Sequence, residues 1–119
     1  MTAEIQLLGQ LIEASRLPLR DEKETQVELA KLFDANKIAY VREHRLAPGD
    51  IVDFFLKDGG LAIEVKLNGQ RPLAIARQLD RYAAHGCVRA LMLVTNRAVL
   101  FGDRRGKPVH VVSLGRAWL

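Results

Sequence analysis

Asp53, Glu64 and Lys66 are the residues whose types and spacing could do chemistry together. They flank the tetrapeptide Lys57-Asp58-Gly59-Gly60, which joins two short apolar runs, 51–56 and 61–67. Such a pattern predicts a β-hairpin. Across an antiparallel pair, opposed residues share a constant index sum, and their side chains lie on one face about 5 Å apart. A two-residue turn pairing Lys57 with Gly60 and a four-residue loop pairing Leu56 with Leu61 give one and the same sum, which Asp53 and Glu64 share. Both loops therefore set the two carboxylates side by side, and Lys66 projects from that face because side chains alternate along a strand. A loop of three or five residues would break the pairing. Asp50, three residues from Asp53, faces the other way unless a bulge intervenes, and is the weaker rival.

The residues between these charges are apolar (Ile51, Val52, Phe54, Phe55, Leu61, Ala62, Ile63, Val65), as in a central strand. An uncompensated carboxylate there costs several kcal/mol. A divalent cation compensates two at once, and Mg2+ characteristically takes one or two carboxylates plus water and phosphate oxygens. Lys66 would then orient or help deprotonate an attacking water, or neutralise charge developing on a phosphate. The plainer alternative is an edge strand on which Glu64 and Lys66 form a solvated stripe while Asp53 pairs locally.

The elements that must position these groups are readable in outline. Ile5, Leu8, Leu11 and Ile12 predict a helix over 3–15, stopped by Arg16-Leu17-Pro18. Asp21 with Glu24 resembles a capping box and opens a second helix running to about Asn36. On it Glu22, Gln26, Leu29 and Phe33 share one stripe facing the core, with Glu24 and Glu28 near the opposite side. Glu22 can supply a further metal ligand, or simply complement the helix dipole. A strand is expected over 37–46, the hairpin follows, and Pro72 starts a third helix reaching about His85. Gln78 and Tyr82 flank its apolar stripe, where they can hold the lysine, a water or a phosphate, or pack as a helix edge on the sheet. Residues 88–95 and 109–113 predict two further strands. No repeat or linker interrupts this order, so the expectation is a single α/β domain over residues 1–119.

Asp53, then Glu64-Val65-Lys66, preceded by a helix with an inward Glu22 and followed by a helix bearing Gln78-Leu79-Asp80-Arg81-Tyr82, resembles the PD-(D/E)XK nuclease superfamily. The last stretch is similar to the Gln-x-x-x-Tyr motif of RecB-type nuclease domains. Holliday-junction resolvases and virus-type replication-repair nucleases are small members of comparable length. The resemblance spans about Asp21 to Thr95. It implies a restriction-endonuclease-like αβββαβ core, a mixed central sheet flanked by helices, here with an extra N-terminal helix. It also implies that Asp53 and Glu64 bind Mg2+ or Mn2+, that Lys66 assists the attacking water and that Glu22 completes the ligand set, with Glu24 and Glu28 as alternatives for that position. Gln78 and Tyr82 would support phosphate or lysine. Val52 stands where the family has its Pro.

Composition sets outer limits. With 49% hydrophobic and 27% charged residues among 119, the chain can bury one core. One cysteine excludes a disulfide framework and fits a reducing, cytoplasmic compartment, and three scattered histidines make no zinc set. The longest apolar runs are about five residues against the ~20 needed to cross a bilayer, and no basic residue precedes Arg16 as a secretory leader requires. A net charge of +4 permits a polyanionic partner. Gln70 and Arg71, in the polar segment 68–71, and Arg104, Arg105 and Lys107 are the candidate phosphate contacts, the last three otherwise forming a solvated loop. Trp118 is a packing anchor, a stacking surface for a base, or part of a subunit interface. The expected protein is a Mg2+- or Mn2+-dependent nuclease acting on DNA, branched or single-stranded substrates included, as a homodimer or larger assembly. Its rivals are a non-catalytic nucleic-acid- or protein-binding module on the same fold, and a ribonuclease.

Overall fold

The segment 61–67, apolar on both sides, forms the middle of the sheet. A computed structural model describes residues 2–67 and 69–118, the side chains of Thr2 and Arg116 excepted; Asn68, part of the polar segment expected to touch phosphate, lies outside the described residues. Helices α1 (Thr2–Glu13) and α2 (Glu22–Ala35) are followed by strands β1 (Val41–Ala47), β2 (Asp50–Leu56) and β3 (Leu61–Lys66), helix α3 (Pro72–Ala83), and strands β4 (Ala90–Thr95) and β5 (Val109–Ser113). The five strands make one mixed sheet in sequence order. β1, β2 and β3 are an antiparallel meander, whereas β3, β4 and β5 run parallel.

Two cores sandwich this sheet. Side chains of α1 and α2, among them Ile5, Leu8, Ile12, Leu29 and Phe33, pack on Phe54, Ile63, Val65, Met92 and Val94. On the other face Ile75, Leu79, Tyr82 and Ala83 of α3 cover Val52, Phe55, Ala62, Leu91 and Leu93. Every residue of β4, and Leu61 to Val65 of β3, is buried, as expected for central strands covered on both sides. Phe33, Tyr40 and Phe54 meet with ring centroids 5.4–5.6 Å apart in tilted and edge-on arrangements, which locks α2 to β2.

The hairpin takes the four-residue connection: Leu56 pairs with Leu61, and the Gly60 N–H donates to the Lys57 carbonyl at 3.2 Å. Helix α2 starts where expected, with the Asp21 side chain accepting from the Lys23 N–H. It also ends where expected, at Ala35 with Asn36 as its cap. Lys37 adopts φ 56° and the Ile38 N–H reaches back to the Phe33 carbonyl at 2.9 Å, a left-handed helix stop normally built with Gly or Asn. The strand expected from residue 37 therefore begins only at Val41. Helix α3 ends at Ala83, two residues short of the expected His85, and the Lys107 ammonium caps the carbonyls of Ala83 and His85 at 2.7 and 2.9 Å.

Gly60 gives the most direct test of the turn. It sits at φ 61°, and a Cβ added there would lie 2.5 Å from the Cys87 carbonyl oxygen. Gly60→Ala is expected to destabilise by roughly 2–4 kcal/mol in denaturant unfolding. Gly86→Ala, where nothing lies within 4 Å of the added methyl, should stay within about 0.5 kcal/mol. Equal effects of the two would contradict this turn.

Candidate active site

Strand β2 is irregular at Asp53 on both of its edges. Toward β1 the pairing passes from Arg42 with Phe54 to His44 with Val52, while Glu43 takes φ 47°. Toward β3 the regular register covers Leu56, Phe55 and Phe54 opposite Leu61, Ala62 and Ile63. Beyond that point carboxylates take over the ladder. The Asp53 N–H donates to Glu64 Oε1 at 2.9 Å, and the Val65 N–H donates to Asp53 Oδ2 at 2.8 Å. The expected side-by-side pair on one face is thus replaced by a reciprocal clasp, each carboxylate accepting from the opposite strand. β3 meanwhile keeps its parallel pairing with β4 as far as Lys66 opposite Thr95. The result is a fork between β2 and β3.

Glu64 is 3% exposed, and the Lys66 ammonium stands 3.5 Å from its Oε2 with the lysine side chain 13% exposed. Burial raises the Glu64 carboxyl to about 7, the nearby Asp53 charge adds to this, and Lys66 opposes it. Burial also raises Asp53, against the Val65 hydrogen bond and Lys66. Asp53 lines an open cleft of about 550 Å3 with Arg20, Asp21, Glu22, Lys23, Gln26 and Leu67. Helix α2 thus delivers its N-terminal turn to the fork, through the stripe that also buries Gln26, Leu29 and Phe33. Glu22 is tied down: its Oε2 accepts from the Leu67 N–H at 3.0 Å, fixing the chain just past Lys66. Glu24 and Glu28 instead pair with Arg20 and Lys31, so among the three helical glutamates Glu22 alone borders the cleft.

Gln78 and Tyr82 form a unit of another kind. The Gln78 Nε2–H donates to the Tyr82 hydroxyl at 2.7 Å, and that hydroxyl donates to the Ile51 carbonyl at 3.0 Å. Tyr82 is buried, and burial, then the Glu64 charge, push its hydroxyl above its ordinary range. These two residues brace β2 two positions before Asp53. Asp50 points to the α3 side, where His85 at 2.9 Å and Arg81 at 3.2 Å hold it, in that order of effect, below the usual carboxylate range.

The expected phosphate contacts separate into two groups. Gln70 and Arg71 are exposed just beyond β3, and the Arg97 guanidinium, just beyond β4, donates to the Gln70 carbonyl. Arg104, Arg105 and Lys107 lie toward the opposite end of the parallel strands, since the Pro108 carbonyl accepts from Leu91 near the start of β4 whereas Lys66 pairs at its end. There Lys107 caps α3, and Arg104 stands 3.7 Å from Asp80. Sequence reasoning passed over Arg20, Lys23 and Arg97. Arg97 had a signal, because ligands gather at the carboxyl ends of parallel strands. Arg20 and Lys23 come to the cleft only through the docking of α2.

Among the described residues, no three His, Cys, Asp or Glu side chains are assembled as a metal-binding group. The donor chemistry suits a hard divalent ion nonetheless: two carboxylates each spend one lone pair on a backbone N–H and retain others. Compared with protein-family models, with curated proteins and with solved structures, the chain matches none.

The raised Glu64 carboxyl has a signature in stability. Between about pH 4.5 and 7 the folded protein keeps a proton that the unfolded chain releases, so this group's contribution falls as pH rises through that window. Glu64→Gln removes the effect. In chelator, the melting temperature of Glu64→Gln relative to the parent should rise by roughly 5 °C between about pH 5 and pH 8. A constant difference would contradict a raised Glu64.

Proposed function

We propose that the protein is a metal-dependent nuclease that hydrolyses DNA phosphodiester bonds at the fork between β2 and β3. The carrying observation is the convergence of the buried Glu64 carboxylate, the half-buried Asp53 carboxylate and the Lys66 ammonium beside an open cleft at the carboxyl end of β3. The element order α2, β1, β2, β3, α3, β4, with an antiparallel meander followed by a parallel strand, supports the αβββαβ restriction-endonuclease-like arrangement, with α1 as the added helix.

Asp53 and Glu64 would hold Mg2+ or Mn2+, with Glu22 at the margin of the set. When bound, such an ion acidifies water and offsets charge developing on the phosphate. The remaining roles belong to the chain itself. Lys66 donates hydrogen bonds from a low-dielectric site, so it can orient the attacking water and stabilise charge on a phosphate oxygen. Glu22, through the Leu67 N–H, fixes the segment that carries Lys66. Gln78 and Tyr82 fix Ile51 and thereby the approach of β2 to Asp53. Arg20 and Lys23 place two cations on the cleft wall beside Asp21, Glu22 and Asp53, where they can meet a phosphate oxygen.

In a plasmid-nicking assay with Mg2+ or Mn2+, Asp53→Ala, Glu64→Ala and Lys66→Ala should each lose roughly a hundredfold or more, and chelator should stop the parent. Lys57→Ala, in the turn at the other end of the hairpin, should retain activity. Full activity of Glu64→Ala would overturn the nuclease. DNA binding without cleavage by the parent would point to a binding module.

A further inference from the structure

Trp118, the only tryptophan in the chain, is 51% exposed and yet firmly held. Its indole N–H donates to the Leu17 carbonyl at 3.1 Å, and the Arg16 guanidinium lies 5.5 Å from the ring centroid. Arg16 in turn donates from Nε to the Ala117 carbonyl at 2.7 Å. A fixed ring with an open face is thus mounted on the connection between α1 and α2. It borders a groove of about 660 Å3 shared with Arg16, Pro18, Leu19 and Arg20. Glu24 and Glu28 also border it, paired with Arg20 and Lys31.

Arg20 lines both this groove and the Asp53 cleft, so the two hollows meet at one arginine whose side chain is 85% exposed. A strand with a phosphate at the fork would run past Arg20 onto the indole. Rigid aromatic faces next to arginines stack on nucleobases whatever the sequence. Within a duplex the base faces are already covered by their neighbours, so away from its ends only an unpaired base can use such a surface. We infer, building on the nuclease reading above, that Trp118 is the stacking platform for an unpaired base near the cleaved phosphate, which makes single-stranded DNA, or a single-stranded branch, the substrate.

As the sole tryptophan, Trp118 reports on itself. In chelator at low salt, a single-stranded oligothymidylate should quench its emission, whereas an abasic oligonucleotide of equal length should not and a blunt duplex, which offers only its two end faces, should do so far less. Trp118→Ala should weaken single-strand binding, followed by anisotropy of a labelled oligonucleotide, roughly tenfold to a hundredfold. Trp118→Phe, which keeps an aromatic face, should restore most of it, and far-UV circular dichroism should show both variants folded. Unchanged emission in the presence of bound oligothymidylate, equal quenching by the abasic strand, or no single-strand binding at all would overturn the platform. An emission shift driven by protein concentration instead of DNA would assign the ring to a subunit interface and overturn it too. A parent that nicks DNA while Trp118 stays silent loses the platform and keeps the nuclease. A parent whose Trp118 responds but which cuts nothing keeps a base-stacking platform and loses the nuclease.

Discussion

The reciprocal clasp between Asp53 and Glu64 is the interaction on which the rest of the structure depends. Two strands that part inside a buried sheet leave backbone N–H groups unsatisfied, at about 1–3 kcal/mol each. Here the Asp53 and Val65 N–H groups find carboxylate oxygens across the gap, and the fork opens with both of these donors paired. The same two carboxylates are thereby fixed in place before any ligand arrives. Their cost is electrostatic: burial raises both carboxyls, Glu64 to about 7, and the ammonium of Lys66 opposes this. A divalent ion at the fork would favour the ionised form of both and convert a destabilising feature into a binding site.

Asp50 and Asp53, three residues apart on one strand, show how strictly environment assigns roles. Asp50 faces α3, is met by His85 and Arg81, and is held ionised. Asp53 faces the N-terminal turn of α2, is desolvated, and is pushed the other way. Three residues apart, they take opposite faces by strand alternation; beside Asp53 the neighbouring strand carries the left-handed Glu43, whose carboxylate reaches Lys23 of α2. Backbone irregularity and cleft formation coincide at this position.

Much of the fold was legible in the sequence because it rests on local signals. The Gly59-Gly60 turn set the hairpin register, the stripe of Gln26, Leu29 and Phe33 set the face of α2, and largely apolar runs marked β3 and β4 as central. What escaped depends on partners distant along the chain. Nothing near Lys37 announces a left-handed helix stop, since the residue type argues against one. Nothing near Lys107 shows that it caps a helix 22 and 24 residues earlier. At the candidate site the participants Asp53, Glu64 and Lys66 could be named from spacing, but the clasp could not, because it replaces the ladder that the spacing argument assumes. Glu22 reaching Leu67, and Tyr82 reaching Ile51, are contacts across 45 and 31 residues that only the packed helices create.

Calorimetric titration of Mn2+ at about pH 7, repeated in two buffers of different ionisation enthalpy, tests the central claim most directly. Binding at the fork requires uptake of one ion with release of a fraction of a proton from the carboxylate pair, seen as a buffer-dependent heat that Glu64→Gln abolishes. An absence of heat, or a heat that Glu64→Gln leaves unchanged, would show that the two carboxylates close the sheet and hold no metal.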